Sequence, residues 1–472
     1  MNPGQKTLGR PLSRLLIASA IAAAFPAYAN DASEIEKLKA QIEELDQKLK
    51  VLGRKQELVN EDVAAKQKAA PTVTASDRGF GFKSQDGQFE YRLRGVVHMD
   101  YRNFGGDAYP DAVDGFLARR VRPTFEGTVF GKYGFRFTPE FGEATTTSTP
   151  TIIDAYLDIR EKPELQIRIG KHKPFVGLER LQSASDIKFI ERSYVSNNLL
   201  PNRDFGVSVF GDLLDKRLSY AVGVFNGVQD GANIGTNQDA NNQKTFTGRL
   251  FATPFINNTD SALRGLGFGI AGTTGRVSSL ISGYKTPGQA NNFFAYRSNS
   301  TPTAANTVAT DGVQERWSPQ AHYYNGPLGL MFEYAWVSQP IKIGSNSTTV
   351  RNNAWQLAGS WLLTGEDASF RGVKPYSRFQ SGPEGGWGAF ELVARAQENR
   401  IDEKAGNDTY SDTGKGYALS AKTIGLGLNW YLNEGSKFAI NYDLTTLGGV
   451  DTGTVVKGTK EHFLAARYQL SF

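Results

Sequence analysis

Cysteine is absent, which excludes a disulfide framework and a thiolate metal site. Histidine occurs four times, as His98, His172, His322 and His462, and no two of these fall at metal-ligand spacing. Neither charge sign dominates. The 53 basic residues stand against 48 acidic ones, a net charge of +5, so charge gives no reason to expect a nucleic-acid partner. No Walker-type phosphate loop is present: the glycines at 265–269 and 425–427 sit inside alternating segments, where glycine more simply relieves crowding. Beyond residue 29 there is no apolar run of roughly 18 or more, which excludes a spanning helix, and the mean hydropathy is -0.39. A membrane protein made from this chain has to cross as a barrel.

What is present begins with an address. Lys6, Arg10 and Arg14 precede an apolar stretch from Leu15 to Phe25 and then Ala27-Tyr28-Ala29, the layout of a secretory signal peptide over 1–29. Its removal leaves 50 basic residues against 48 acidic ones. Next, Ile35, Leu38, Ile42, Leu45, Leu49, Leu52, Gln56, Val59 and Val63 alternate at spacings of three and four, an a/d seam flanked by charge. The pattern predicts a self-associating periplasmic coiled coil over 30–66; an amphipathic helix lying on the barrel's own surface is the alternative. Residues 67–88, with Pro71, are expected to be a linker.

From Phe89 the period drops to two. Across Phe89 to Arg102, Phe116 to Val129, Tyr133 to Phe141, Ile152 to Arg160 and Leu165 to Gly170, even positions hold fourteen charges and odd positions one, Arg119. One face is greasy and the other densely charged. Further segments of this kind run from Phe205 to Leu213, Arg217 to Gly227, Thr245 to Phe255, Leu263 to Gly275 and Arg316 to Tyr324. Six more follow: Leu328 to Gln339, Ala354 to Thr364, Trp387 to Asn399, Tyr417 to Leu432, Lys437 to Leu447 and His462 to Phe472. The count predicts an all-β fold, a transmembrane antiparallel barrel of 16 strands over 89–472, with polar connections such as Gln229 to Lys244, Ser278 to Glu315 and Asn399 to Lys415 outside the cell. The apolar row Leu464, Ala466, Tyr468, Leu470 and terminal Phe472 resembles the strand that bacterial outer-membrane barrels present to their assembly machinery.

Such a barrel is too wide for side chains to fill, so its charged face lines water. Eight of the fourteen charges are arginines, whose planar donor fork matches the oxygens of phosphate or carboxylate. Arg92, Arg94, Arg136 and Arg168 are accordingly expected to line a pore. Pairing with Glu90, Asp100, Glu126, Asp154 and Asp158 would instead make a structural girdle and a weakly selective channel. The stretch from His172 to Arg203 has no clear strand and carries Lys173, Arg180, Lys188, Arg192 and Arg203. A connection of that length is usually functional. It is expected to fold inward as a constriction over about 172–203; an external lid or trimer latch is the alternative.

Several of these residues form motifs: Phe89-Glu90-Tyr91-Arg92-Leu93-Arg94-Gly95, Phe116-Leu117-Ala118-Arg119-Arg120, Gly177-Leu178-Glu179-Arg180, Ile190-Glu191-Arg192, Leu363-Thr364-Gly365-Glu366, Trp387-Gly388-Ala389-Phe390-Glu391-Leu392 and Asn429-Trp430-Tyr431. Together they make the stretch from Gly79 to Phe472 resemble the phosphate-selective porin family, the O and P type of Gram-negative outer membranes. The resemblance implies a homotrimer of barrels in outer-membrane lipid, with a third loop folded inside and a central site for phosphate or related anions. It would place Arg119, Arg120, Asp154 and Arg192 at that site, with Arg180 where the family has a lysine. Arg122 and Lys173 stand where the family has tyrosines, and Val96 where it has an arginine, so phosphate, pyrophosphate and other anions remain open as substrates. The even-odd phase puts Arg119 toward lipid, at a cost of roughly 2–4 kcal/mol at the bilayer midplane. A bulge near Ala118, or a position above the hydrocarbon band, is therefore expected. No cofactor or metal is implied, and no enzyme: His98 shares the lumen phase with Asp100, but no serine partner can be picked from the sequence. A general or carboxylate-selective porin, and a stalk-anchored adhesin, are the alternatives.

Overall fold

The computed structural model describes residues 32–77, 79–142, 150–233, 242–277, 279–281, 283–299, 301–383, 385–412, 418–449 and 458–472. The expected signal peptide lies outside them, as do the middle of the 229–244 connection and residues 413–415 of the 399–415 connection. The chain divides into two units, 1–70 and 71–472.

In the first unit one helix, α1, runs Ala32–Ala69. At 1.5 Å per residue its 38 residues extend about 57 Å. Glu44 and Lys48, and Asp46 and Lys50, pair one turn apart at 2.6 and 2.7 Å, acid before base, the order that favours a helix. Within the unit the seam has no cover. Ile35, Leu38, Ile42, Leu45, Leu49 and Leu52 are each more than half exposed.

The second unit is the barrel. Its strands are β1 (Glu90–Gly106), β2 (Gly115–Val129), β3 (Tyr133–Glu140) and β4 (Thr151–Lys162). Next come β5 (Leu165–His172), β6 (Asp204–Leu213), β7 (Leu218–Phe225) and β8 (Thr245–Ala252). The second half holds β9 (Leu266–Val277), β10 (Gly312–Asn325), β11 (Leu328–Ile343) and β12 (Asn346–Leu362). It ends with β13 (Ala389–Arg400), β14 (Ser420–Tyr431), β15 (Ser436–Gly448) and β16 (Lys460–Ser471). Each pairs antiparallel with the next, and β16 pairs with β1 to close the cylinder. All sixteen expected strands are present. The alternation is legible because a slip of one residue would turn every apolar side chain from the outer face to the inner one. Phe116, Leu157, Val222, Leu250, Trp361, Ile424 and Leu464 form part of the outward apolar belt.

The segment expected to be a linker holds more structure than that. Helix α1 continues to Ala69, and a hairpin of Thr72–Ser76 and Gly79–Lys83 follows. The hairpin pairs with the first residues of β1, Phe80 opposite Leu93 and Phe82 opposite Tyr91. Strand β16 takes over the same edge from Val96 onward. Between them the backbones of Gly95 and Phe472 exchange two hydrogen bonds of 2.9 and 3.1 Å, and the Phe472 ring packs 5.5 Å from that of Phe80.

Glycine in β14 serves packing. A Cβ at Gly425 would meet the Asp443 carboxylate at 2.2 Å and the Phe189 ring at 3.1 Å, and one at Gly427 would meet the Asn441 amide at 1.9 Å. At Gly425 the strand gives way to the segment inside the barrel. Gly425→Leu is therefore expected to overpack this contact at a cost of roughly 1–3 kcal/mol. The check is the temperature at which the folded barrel's fast mobility on a detergent gel is lost, which should fall below that of the wild type.

Candidate functional site

Between β5 and β6 the chain enters the lumen. His172 itself belongs to β5, so the inward segment is 173–203, with a single helical turn at Leu178–Leu181 (α2) and a π-helical turn at Val195–Leu199. Its apolar residues Val176, Leu178, Phe189, Ile190, Val195 and Leu200 are buried. A buried loop has to satisfy its backbone. Here the inner face of the far wall does so: Glu333 on β11 accepts from Leu178 N at 2.6 Å, Gln397 on β13 from Tyr194 N at 2.9 Å, and Asn441 on β15 from Ile190 N at 2.6 Å. Arg395 and Arg467 donate to the carbonyls of Glu191 and Ile190 at 3.0 and 2.7 Å.

Two further segments hold it. From one end of the barrel the connection 363–388 brings the Phe370 carbonyl to Gln182 Nε2 at 2.7 Å. From the other, the hairpin of Tyr284–Lys285 and Asn292–Phe294 sets Phe293 6.0 Å from Tyr194, and the Lys285 carbonyl accepts from Asn198 at 3.0 Å. The lumen beside β9 to β16 is thereby occupied. Space remains against β1 to β8.

That space narrows to a cavity of about 210 Å³ walled by cations. Arg119, Arg120 and Arg122 come from β2, and Lys173, Arg180, Arg192 and Arg203 from the inward segment. Six of these seven are the residues expected from the sequence, and Arg203 is an addition that had been visible only as one more base in the loop. Glu140 is the one carboxylate in the wall among the described residues. A larger space of about 700 Å³ adjoins it, sharing Arg122, Lys173 and Arg203, with Arg94, Arg136 and Arg168 along its side. Asp154 lines the larger space and pairs with Arg203 at 2.8 Å. Arg92, part exposed, pairs with Glu90.

Arg119 reaches the lumen through a bulge. The β1–β2 register steps from His98 opposite Arg120 to Met99 opposite Ala118, which leaves Arg119 as the extra residue. Its Nε donates to Glu191 at 2.6 Å. The conflict between phase and charge is resolved by one inserted residue.

Most of the arginine row is neutralised. Arg136 and Arg94 lie 3.1 and 3.6 Å from Glu126, Arg168 holds Asp158 at 2.8 Å, and Arg122 holds Glu140. Glu191 is shared by Arg102 and Arg119, each at 2.6 Å, and by Arg120 at 3.5 Å. Burial alone would raise the Glu191 carboxyl, but Arg119, Arg120 and Arg102 hold it well below the usual carboxylate range. Neither Glu140 nor Glu191 was singled out from the sequence; the first shares the even phase, and the second sits in the Ile190-Glu191-Arg192 motif.

Three cations differ. Lys173 donates to the Gln182 carbonyl at 2.8 Å, Arg192 to the carbonyls of Gln182 and Glu179 at 2.9 and 3.3 Å, and Arg180 to the Ser196 carbonyl and, at 3.4 Å, to Asn197 Oδ1. Among the described residues no carboxylate lies within ion-pair distance of any of the three. Removal from bulk water, then the Arg192 and Arg203 guanidiniums, hold the Lys173 ammonium well below the ordinary lysine range, although Asp154 opposes this.

Elsewhere in the lumen His172 Nε2 and Ser208 Oγ lie 2.9 Å apart, a pair the sequence did not reveal. The other ring nitrogen faces the Gly170 carbonyl, not a carboxylate, and Ser208 is 1% exposed, so a substrate cannot reach it. Among the described residues no three metal-binding side chains converge.

With this geometry in view, the family model of phosphate-selective porins O and P matches residues 89–472. The chain belongs to that family. No curated protein matches it. Among solved structures, the outer-membrane-expressed OmpT of Vibrio cholerae is 11% identical, with 85% of this chain and 100% of that one covered and a TM-score of 0.48. The outer-membrane channel DcaP of Acinetobacter baumannii is 12% identical, covering 83% and 99%, with a TM-score of 0.49. An anion-selective porin from Comamonas acidovorans is 12% identical, covering 81% and 100%, with a TM-score of 0.48.

In this porin basic side chains line the free side of the lumen, and one of them is sensitive to pH. Because Lys173 is held low, raising pH discharges it before an ordinary lysine, which titrates near 10.4. As pH rises toward the ordinary lysine range, any anion preference should fall in the wild type and fall less in Lys173→Met, which starts lower. Reversal potentials in a salt gradient check this difference.

Proposed function

We propose that the porin is an anion-selective channel of the Gram-negative outer membrane for phosphate or polyphosphate, with Arg119, Arg120, Arg122, Lys173, Arg180, Arg192 and Arg203 forming its binding constriction. Arg94, Arg136 and Arg168 guide ions through the adjoining space. One observation supports the reading: Lys173, Arg180 and Arg192 line a cavity of about 210 Å³, and among the described residues no carboxylate lies within ion-pair distance of any of the three. Near a low-dielectric wall such a surplus attracts anions and repels cations.

Transport is passive. An anion entering exchanges water for guanidinium and ammonium donors, and it leaves because each contact can be traded for the next along the row. Affinity and flux oppose one another, so the site holds its ion only briefly.

The proposed setting follows from the sequence. The leader over 1–29 directs export, the Phe472 strand engages the barrel assembly machinery, and three copies join, with the exposed seam of α1 forming their coiled coil on the periplasmic side. The connections 229–244, 278–315 and 399–415 then face outward.

Planar-bilayer recordings test the channel. Current should favour anions, and added phosphate should reduce the chloride conductance. Arg120→Ala and Arg192→Ala should each weaken that block by about tenfold, the scale of one charge-assisted hydrogen bond. Phe137→Ala, on the lipid face, should leave it alone. A cation-preferring current would refute the reading. Block by dicarboxylates but not phosphate would move the substrate to carboxylates, and a silent barrel would favour an adhesin.

A further inference from the structure

Away from the constriction, a further cation stands without an acid. Arg249 on β8 packs its guanidinium 4.4 Å over the Phe251 ring, and its one hydrogen bond among the described residues runs from Nε to the Gln320 carboxamide oxygen at 3.0 Å. Its terminal nitrogens are left for the larger space of about 700 Å³, which Arg249 borders.

Aromatic rings border the same space. Tyr156, Phe175 and Phe210 are each partly exposed, and the last two lie 4.8 Å apart. They surround the Arg168 guanidinium at 4.0, 5.8 and 5.3 Å, but that group is already committed, donating to both oxygens of Asp158 at 2.8 and 3.0 Å. The face of an aromatic ring is negative, so an inorganic oxyanion gains nothing from it. An apolar or aromatic body does.

Strand register sets the two features side by side. Phe210 on β6 lies opposite Ala221 on β7, and Ala221 lies opposite Arg249 on β8. With neighbouring strands about 4.7–4.9 Å apart, the backbones of Phe210 and Arg249 are separated by about 9.5 Å, with only a methyl group between them on this face. A ring stacked on Phe210 can present an attached oxyanion to the Arg249 fork across that gap. Phe210, Ala221 and Arg249 border the larger space and not the constriction.

We propose that this wall is a second binding site, for oxyanions attached to an aromatic ring, such as aryl phosphates: Arg249 takes the oxyanion, and Phe210, backed by Phe175, takes the ring. The inference goes beyond the inorganic-anion reading and uses none of the residues that wall the constriction.

The test is a ligand-observed NMR titration of the full-length porin in detergent micelles, with empty micelles as the blank. Phenyl phosphate and methyl phosphate carry the same head group, and phenyl phosphate should half-saturate at about tenfold lower concentration, the scale of one aromatic contact. Equal binding of the two would overturn the proposal.

Two variants locate the site. Arg249→Met removes the fork and Ala221→Leu fills the gap, and each should weaken phenyl phosphate by about tenfold while moving inorganic phosphate by no more than about twofold. If Arg192→Ala weakens phenyl phosphate and Arg249→Met does not, the ring-bearing ion sits in the constriction and the proposal falls. Equal losses for both ligands in the two variants would overturn it as well. Because binding is read without current, a barrel that is silent in planar bilayers would count against the channel reading alone.

Discussion

A peptide backbone cannot lie inside a membrane barrel unless its N–H and C=O groups find partners. That requirement organises this porin's lumen. The inner faces of β11, β13, β15 and β16 carry Glu333, Arg395, Gln397, Asn441 and Arg467, and each of these reaches the main chain of segment 173–203. Polar residues that would otherwise line water on that side become the socket of a loop. The free passage is displaced toward β1 to β8 as a result, where most of the arginines stand. Position of the pore and position of the charge are therefore one consequence of the same packing.

Charge along the passage is less uniform than a row of arginines suggests. Acids placed two residues apart or on the adjacent strand take up most of the guanidiniums, as Asp158 does for Arg168 and Glu126 for Arg136. Those pairs fix side chains and line a polar wall, but they add little net attraction for an anion. The surplus comes from the loop instead. Arg180, Arg192 and Lys173 use carbonyl oxygens of their own segment as partners, and a carbonyl dipole orients a cation without cancelling its charge.

Legibility differed by feature for physical reasons. Sixteen strands could be read because alternation is enforced by lipid on one side and water on the other. The bulge at Arg119 could be read as well, since a lone charge in the apolar phase is a conflict that geometry has to resolve. The hairpin at Thr72–Ser76 and Gly79–Lys83 could not: two strands of five residues, the second with two glycines, make no strong pattern, and the hairpin packs on the β1 edge and the Phe472 ring. The contact between Gln182 and Phe370 joins positions 188 apart in the chain, so neither carries a local sign of it. Pairing was hidden in the same way. The even phase placed Asp154 and the loop composition supplied Arg203, yet only the fold brings the two together.

The way the three surplus cations are held bears on what they can do. A long flexible side chain that must be ordered by an arriving ion spends part of the interaction on its own lost rotamers, about 0.5–1.5 kcal/mol each. Here that ordering is complete before an ion arrives, because each head group is already tied to the inward segment and the segment is tied to the far wall. A fixed array of donors in a narrow, poorly polarisable passage stabilises a charge more than mobile ones would, for the same reason that preorganised dipoles do in enzyme sites. Rigidity also limits how tightly an ion can be gripped. On the proposed reading the donors cannot close around it, so contact stays partial and release stays fast. On that reading, a wall built this way discriminates by the sign and number of charges while letting the ion pass.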